Sequence, residues 1–239
     1  MDTAALAAAF SDKTKLLVLN SPQNPASKVY SAAELTAIAD LALAHDIVVV
    51  CDEAYEHIVY DANRHIPLMT LPGMAERVVK IGSAGKTFSV TGWKVGYLTT
   101  DPALLAPIAK AHQFLVFTTP PNLQRAVAHG LNQSDAYFDG LGRGLQAKRD
   151  RLARGLGGTG FRPIDCAGTY FLFADISGLD FDGDDVAFCT YLTTKVGVTA
   201  VPVSAFYTAN PAADTVRFCF AKQDAILDGA VDRLRRHFA

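Results

Sequence analysis

Several short runs of the chain are continuously apolar, without the alternation typical of a strand that has one face in water. The four runs are Leu16–Asn20, Ile47–Cys51, Val78–Ser83 and Val95–Leu98. Such runs are typical of strands buried on both faces. Between the first two, Ser31 and Glu34 form a Ser-x-x-Glu helix start, which predicts a helix to about His45. The pattern therefore predicts an α/β fold with a mostly parallel sheet covered by helices on both faces.

The second half of the chain has a different pattern. Residues 120–156 are predicted to be one long helical region, which Gly157-Gly158-Thr159-Gly160 ends. The later runs predict strands and helices of a smaller α+β unit. These are strands at 170–174, 201–203 and 216–220, and helices at 184–195 and 224–237. We therefore place a domain boundary near residues 140–155, which gives domains 1–145 and 146–239.

Composition narrows the function classes. The 239 residues carry a net charge of −2, so a nucleic-acid partner is not expected. The four cysteines and six histidines are scattered, which favours reduced thiols and no metal site. The N-terminus lacks the features of a signal peptide, and no apolar run is long enough to span a bilayer. We expect a soluble, cytoplasmic protein without a membrane partner.

Polar side chains follow three of the predicted strands, where open α/β sheets bind their ligands. They are Asn24 in a proline-rich turn, Asp52 with Tyr55, and Ser83 with Lys86 and Lys94. Each has an ordinary structural explanation on its own. An Asp can cap a helix, a Lys in a Gly/Ser turn is usually solvated, and Asn before Pro is common in turns. Their joint order and spacing favour a functional site.

Three segments together carry a resemblance to a known family. They are Ser21-Pro22-Gln23-Asn24-Pro25, Cys51-Asp52-Glu53-Ala54-Tyr55, and the run from Ser83 to Gly96 that contains Ser83-Ala84-Gly85-Lys86 and Gly92-Trp93-Lys94. The chain resembles the class I/II aminotransferases along essentially its whole length. It is most similar to the branch with kynurenine, methionine and N-succinyldiaminopimelate aminotransferases. The Lys86 segment is highly specific, whereas the Asn-Pro turn alone is weak.

The resemblance implies a fold type I enzyme that uses pyridoxal 5′-phosphate (PLP), with residues 1–145 as a partial large domain and 146–239 as the small domain. Lys86 would hold the cofactor covalently and later move a proton, which a free, protonated lysine does poorly. Asp52 would pair with the pyridinium nitrogen, keeping the ring able to accept electrons. Tyr55 and Asn24 would form hydrogen bonds with the 3′ oxygen of the cofactor ring.

The same resemblance assigns three further residues. Ser83 and Lys94 would contact the cofactor phosphate. Arg217, on a predicted strand, would grip the α-carboxylate of the substrate with its planar fork. The alternative for Arg217 is a solvated residue on a strand edge. The substrates implied are an amino acid and a 2-oxo acid, and the complete enzyme would be a homodimer.

The sequence departs from the family in two ways. The family usually continues Asn-Pro with Thr-Gly, but Ala26 and Ser27 stand here; a side chain at Ser27 would cost ~1 kcal/mol if the turn needs glycine. Lys94 also stands where many relatives carry arginine. The second departure is large, because family members extend well beyond this chain at the N-terminus, and only 23 residues precede Asn24.

The absent segment would supply part of the phosphate cradle, a ring that stacks on the cofactor and part of the sheet. A truncated or split reading frame, an excised piece and a natural short product all stay open. The function expected is that of an aminotransferase, or its C-terminal part. The alternatives are a non-catalytic fragment that associates through its exposed sheet, and a cysteine-conjugate β-lyase.

Overall fold

The fold is described from a computed structural model, for residues 1–209 and 211–239. The chain divides into two compact units. Unit 1 comprises Met1–Pro22, Val29–Val59 and Asn63–Asp139, and unit 2 comprises Gln23–Lys28, Tyr60–Ala62 and Gly140–Ala239. Two short segments from the N-terminal part of the chain therefore belong with unit 2. The identification of the units with the large and small domains of a fold type I enzyme stays a prediction.

Unit 1 is built around a four-stranded sheet. Its strands, in spatial order, are β1 (Leu16–Asn20), β2 (Val48–Asp52), β3 (Val78–Ser83) and β4 (Gly96–Thr99). The first three are parallel, and β4 runs antiparallel to β3. The expectation of a mostly parallel sheet is confirmed. The reversal of β4 was not foreseen, because an apolar run carries no information about strand direction.

Helices account for a large part of the remainder of unit 1. They are α1 (Thr3–Ala8), α2 (Ala32–Ala44), α3 (Ala84–Thr87), α4 (Pro102–Leu115), α5 (Pro121–Leu131) and the start of α6 (Asp135–Leu156). The predicted capping box is confirmed, since Ser31 Oγ accepts from the Glu34 amide and Glu34 Oε2 accepts from the Ser31 amide. Among the described residues, no helix is both long and apolar enough to cross a membrane.

The two faces of the unit 1 sheet differ in their cover. On one face, Leu19, Val49 and Val78 pack in a core with residues of α2, such as Leu35 and Ile38. The opposite face is also apolar, but Leu16 is 50% exposed and Val18 is 64% exposed. On the same face, Ile81 and Leu98 are exposed as well, whereas Val79 is buried. The prediction of a sheet covered on both faces is therefore wrong at the edge strand β1, where Leu16 and Val18 are exposed. We call this partly covered side of the sheet its open face.

The helical region predicted for residues 120–156 is interrupted. The helix α5 ends at Leu131, and α6 begins at Asp135. At the break, the Asn132 side chain donates to the Ala128 carbonyl at 2.8 Å. A side-chain amide that bonds the backbone in this way competes with continued helix.

Unit 2 contains a second, antiparallel sheet in the order β5-β6-β8-β7. Its strands are β5 (Arg162–Pro163), β6 (Phe171–Asp175), β7 (Val201–Pro202) and β8 (Thr215–Cys219), with helices α7 (Asp185–Tyr191) and α8 (Asp224–Phe238). Phe161 lies at the centre of the core, with ring centroids of Phe188, Phe218 and Phe238 within 5.8 Å. The predicted helix 184–195 is shorter, because a π-helical turn, Leu192–Val196, follows α7 and ends at Gly197.

The uneven cover of the unit 1 sheet has a measurable consequence. Val49→Ala, on the packed face, should lower the free energy of unfolding by about 2 kcal/mol, from lost apolar burial and the cavity left behind. Val18→Ala, the same change on the open face, should alter it by less than about 0.5 kcal/mol. Urea unfolding of both variants measures the difference. Equal losses would show that the open face is covered in solution.

Candidate active site

The carboxyl ends of the parallel strands place polar side chains along one edge of the unit 1 sheet. Asn20 and Asp52 pair at the ends of β1 and β2, and Ser83 ends β3. Because β4 is antiparallel and Gly96 pairs with Ser83, β4 begins at the same edge. Lys94, two residues before Gly96, therefore enters there as well. A carboxylate, a hydroxyl and an ammonium group share the edge at which open α/β sheets bind ligands.

Lys86 lies in the turn that follows β3, within α3. Its Nζ atom is 5.8 Å from the centre of the Tyr55 ring, and Tyr55 is buried. A side chain on Gly85 would meet the Cα atom of Thr91 at 3.0 Å, so glycine permits the two backbone segments to approach. Asp52 Oδ1 accepts from the Ala54 amide at 3.2 Å, which holds the turn leading to Tyr55.

A buried charged network is formed by the chain neighbours of Asp52 and Tyr55. Glu53 Oε2 is 2.7 Å from His65 Nε2, and Glu56 pairs with the Lys80 ammonium and accepts from the Tyr97 hydroxyl at 3.1 Å. Asp52 and Tyr55 alternate with Glu53 and Glu56 along the chain. The network therefore ties the turn between β2 and β3 to strands β3 and β4.

One ammonium group lies close to both carboxylates of this network. Lys80 Nζ contacts Glu56 and lies 3.9 Å from Glu53. Glu53, Glu56 and His65 also bring potential metal-ligand atoms within 4.8 Å of one another. Because the Lys80 ammonium already contacts both carboxylates, the cluster is an ion-pair network and its geometry gives no support to a metal site.

The protonation of Tyr97 suits its place in the network. Burial, and secondarily the negative charge of Glu56, raise the pKa of the Tyr97 phenol above its usual value. The phenol therefore stays protonated and donates a hydrogen bond to the Glu56 carboxylate. Close by, burial raises the pKa of the Cys51 thiol to about 12, with Glu53 as the smaller cause. Cys51 is therefore a neutral core residue at physiological pH.

Unit 2 holds the other two residues that the sequence singled out. Arg217 lies on β8, and its Nη1 donates to Asn24 Oδ1 at 2.8 Å. The guanidinium carbon is 4.0 Å from the centre of the Phe171 ring and 5.0 Å from that of Phe206. Aromatic rings attract the faces of a guanidinium group and leave hydrogen bonding to its planar edge. Arg217 is therefore oriented by three residues of its own unit.

The structure thus distributes the seven predicted site residues over two units. Asp52, Tyr55, Ser83, Lys86 and Lys94 lie in unit 1, and Asn24 and Arg217 lie in unit 2. The charged network around Lys80 was not predicted. A lysine within the otherwise apolar run of β3 was the available signal, because such a residue needs a partner when the strand is buried.

The chain matches solved structures over nearly all its length. N-succinyldiaminopimelate aminotransferase from Mycobacterium tuberculosis superposes with a TM-score of 0.92 and 46% identity, covering 98% of this chain and 61% of that one. YbdL from Escherichia coli, described with a methionine aminotransferase function, gives a TM-score of 0.94 and 37% identity, covering 99% and 62%. The fold is that of PLP-dependent aminotransferases of fold type I.

Sequence comparison then gives the family. The family model "Aminotransferase class I and II" matches residues 1–234, and the chain belongs to that family. A probable N-succinyldiaminopimelate aminotransferase, DapC, from Mycobacterium tuberculosis is 45% identical over 98% of this chain. A kynurenine–oxoglutarate transaminase from Dictyostelium discoideum is 43% identical over 96%. The chain spans 61% and 58% of the length of these two relatives.

The network makes position 82 sensitive to any side chain. A Cβ atom on Gly82 would lie 2.2 Å from the Tyr97 ring, which crosses the strand there. Gly82→Ala should therefore displace Tyr97 from Glu56 and lower the free energy of unfolding by about 1–3 kcal/mol. Urea unfolding tests this. The double variant Gly82→Ala/Tyr97→Leu should lose less than the two single variants added together; strict additivity would contradict the clash.

Proposed function

We propose that this chain supplies the lysine-bearing part of a PLP-dependent aminotransferase, which moves an amino group from an amino acid to a 2-oxo acid. The observation that carries the proposal is the shared sheet edge in unit 1. Asp52 and Ser83 end neighbouring strands there, Lys94 lies two residues before β4, and Lys86 lies in α3 directly after Ser83. Membership of the aminotransferase family supports the same function. Because the chain spans 61% and 58% of the length of the two relatives named above, catalysis by this chain alone should be weak.

The groups at this edge fit PLP in their chemistry. The cofactor has an aldehyde, a ring nitrogen, a ring hydroxyl and a phosphate. The chain offers, in the same order, the amine of Lys86, the carboxylate of Asp52, the phenol of Tyr55, and the hydroxyl and ammonium of Ser83 and Lys94. When bound, PLP supplies a carbonyl that condenses with amines and a ring that accepts electrons from the substrate carbon.

The chain's own residues would have distinct tasks. Lys86 would attach the cofactor through its amine and, once released, move a proton to and from the substrate α-carbon. Asp52 would hold a proton on the ring nitrogen by its negative charge. The hydrogen bond from the Ala54 amide fixes that carboxylate in the turn. The buried network of Glu53, Glu56 and Lys80 would keep the turn in place during turnover.

Asn24 and Arg217 would bind the substrate. A guanidinium edge can bind a carboxylate with two parallel hydrogen bonds, and the Phe171 and Phe206 rings leave that edge as the polar surface of Arg217. Asn24 already accepts from one of its nitrogens. A carboxylate common to amino acids and 2-oxo acids is the feature that Arg217 would recognise.

We further propose that the complete enzyme is a cytoplasmic homodimer. The four cysteines, each of which is a free thiol, support the cytoplasmic location. The family resemblance and the open apolar face of the unit 1 sheet support the dimer. A β-lyase activity on cysteine conjugates is the second candidate from the sequence. It would use the same residues, and release of ammonia and pyruvate from a cysteine conjugate separates it from transamination.

The attachment of PLP has a direct test. Lys86→Ala should abolish covalent attachment, because Lys86 alone among the lysines of the chain occupies the Ser-x-x-Lys turn at the sheet edge. The measurement is borohydride reduction with PLP, followed by peptide mapping. Lys110→Ala, on the exposed part of α4, is the matched control and should keep the adduct. An adduct on another lysine of the unaltered chain would refute the assignment.

The role of Asp52 predicts an unequal effect on binding and turnover. Asp52→Asn keeps a side chain that can hydrogen-bond but removes the charge that would hold the ring proton. In an enzyme completed with the missing part, turnover should fall by about 100-fold or more, while PLP affinity should fall far less. Single-turnover kinetics and PLP titration measure the two effects. Turnover within a few fold of the parent enzyme would exclude the electron-accepting role.

A further inference from the structure

Ser27 adopts an unusual backbone conformation. Its φ is +58°, in the left-handed region that side chains disfavour, and it is 3% exposed. The short segment around it is closed by two backbone bonds, from the Ser27 amide to the Gln23 carbonyl and from the Gln23 amide to the Lys28 carbonyl. A serine here keeps the turn of a glycine and adds a buried hydroxyl.

The Ser27 hydroxyl completes a closed ring of hydrogen bonds with two residues far along the chain. Ser27 Oγ donates to the Phe171 carbonyl at 2.8 Å and lies 3.0 Å from Thr169 Oγ1. Thr169 Oγ1 in turn accepts from the Phe171 amide at 3.2 Å. Since the Ser27 proton is directed at Phe171, Thr169 donates to Ser27, and each of the three bonds has one donor and one acceptor.

This ring joins the supports of Arg217. The segment Gln23–Lys28 carries Asn24, which accepts from Arg217 Nη1 at 2.8 Å. The Phe171 ring lies 4.0 Å from the Arg217 guanidinium carbon. The Ser27 carbonyl also accepts from the Ala167 and Gly168 amides, at 3.0 and 3.1 Å. One buried serine thus connects the segment with Asn24, which bonds Arg217, to the residue whose ring lies against the guanidinium group, Phe171.

We propose that Ser27 is a positioning residue for substrate carboxylate binding: its hydroxyl ring with Thr169 and Phe171 holds Asn24 and Phe171 in register around Arg217. The inference rests on the proposed function, in which Arg217 binds the carboxylate. It predicts that Ser27→Gly weakens carboxylate binding. Glycine adopts the same φ without strain, which offsets part of the stability lost with the two hydrogen bonds of the hydroxyl.

The test uses NMR on the full ¹⁵N-labelled chain. The Arg217 Nε–Hε signal is identified by its loss in Arg217→Lys, and 2-oxoglutarate is the carboxylate probe. Ser27→Gly should raise the Kd for 2-oxoglutarate about fivefold, the effect of one lost hydrogen bond, and lower the ¹⁵N{¹H} NOE of Arg217 Nε. Thr169→Val, which breaks the same ring at equal side-chain shape, should do the same. Thr169→Ser retains the hydroxyl and should behave as the parent chain.

A matched control separates positioning from general destabilisation. Thr159→Val removes another buried hydroxyl of unit 2, which bonds the Leu156 carbonyl, and should lower stability without changing the Arg217 signal or the affinity. Parent-like affinity and side-chain order in both Ser27→Gly and Thr169→Val would overturn the inference. If the Arg217 Nε–Hε signal of the parent chain does not respond to 2-oxoglutarate, the proposed function fails. The ¹⁵N{¹H} NOE of Arg217 in the variants then still decides the role of Ser27.

Discussion

Parallel pairing of β1, β2 and β3 is the interaction on which the candidate site depends, because it gives three consecutive strand ends a common edge. The pairing of Asn20 with Asp52 is fixed by the register of the apolar residues behind them. A shift of one residue would turn Leu19, Val49 and Cys51 out of the core and Asp52 inward, at a large cost in apolar burial. The hydrophobic core of unit 1 therefore sets which polar side chains reach the edge.

The turn after β2 also needs stabilising partners, because it places the carboxylates of Glu53 and Glu56 in a buried environment. Each would be costly to desolvate alone. Lys80, His65 and Tyr97 provide charge and hydrogen bonds from β3, from β4 and from the loop before them. Gly82 makes this possible by leaving room for the Tyr97 ring. The same residues that stabilise the two carboxylates also limit the motion of the turn, so this stabilisation and the rigidity of the turn have one structural origin.

The sequence predicted those features that depend on neighbours along the chain. The apolar runs located β1, β2 and β3, and the Ser31–Glu34 spacing located the start of α2. Features that depend on residues far apart in the chain could not be predicted from the sequence. The direction of β4, the partners of Lys80 and the bond between Ser27 and Thr169, 142 positions apart, depend on the folded chain. The motif around Lys86 was recognisable because its spacing is local, whereas the supports of Arg217 come from three separate segments.

The open face of the unit 1 sheet also bears on the heat capacity of the chain. Apolar surface that is newly hydrated on unfolding is the main source of the heat-capacity increment. Leu16, Val18, Ile81 and Leu98 are already partly hydrated in the folded chain, so they add less to it than fully buried residues would. Per residue, the increment should be smaller than for a sheet covered on both faces. The stability of this chain should therefore vary with temperature along a flatter curve, and covering the open face would sharpen it.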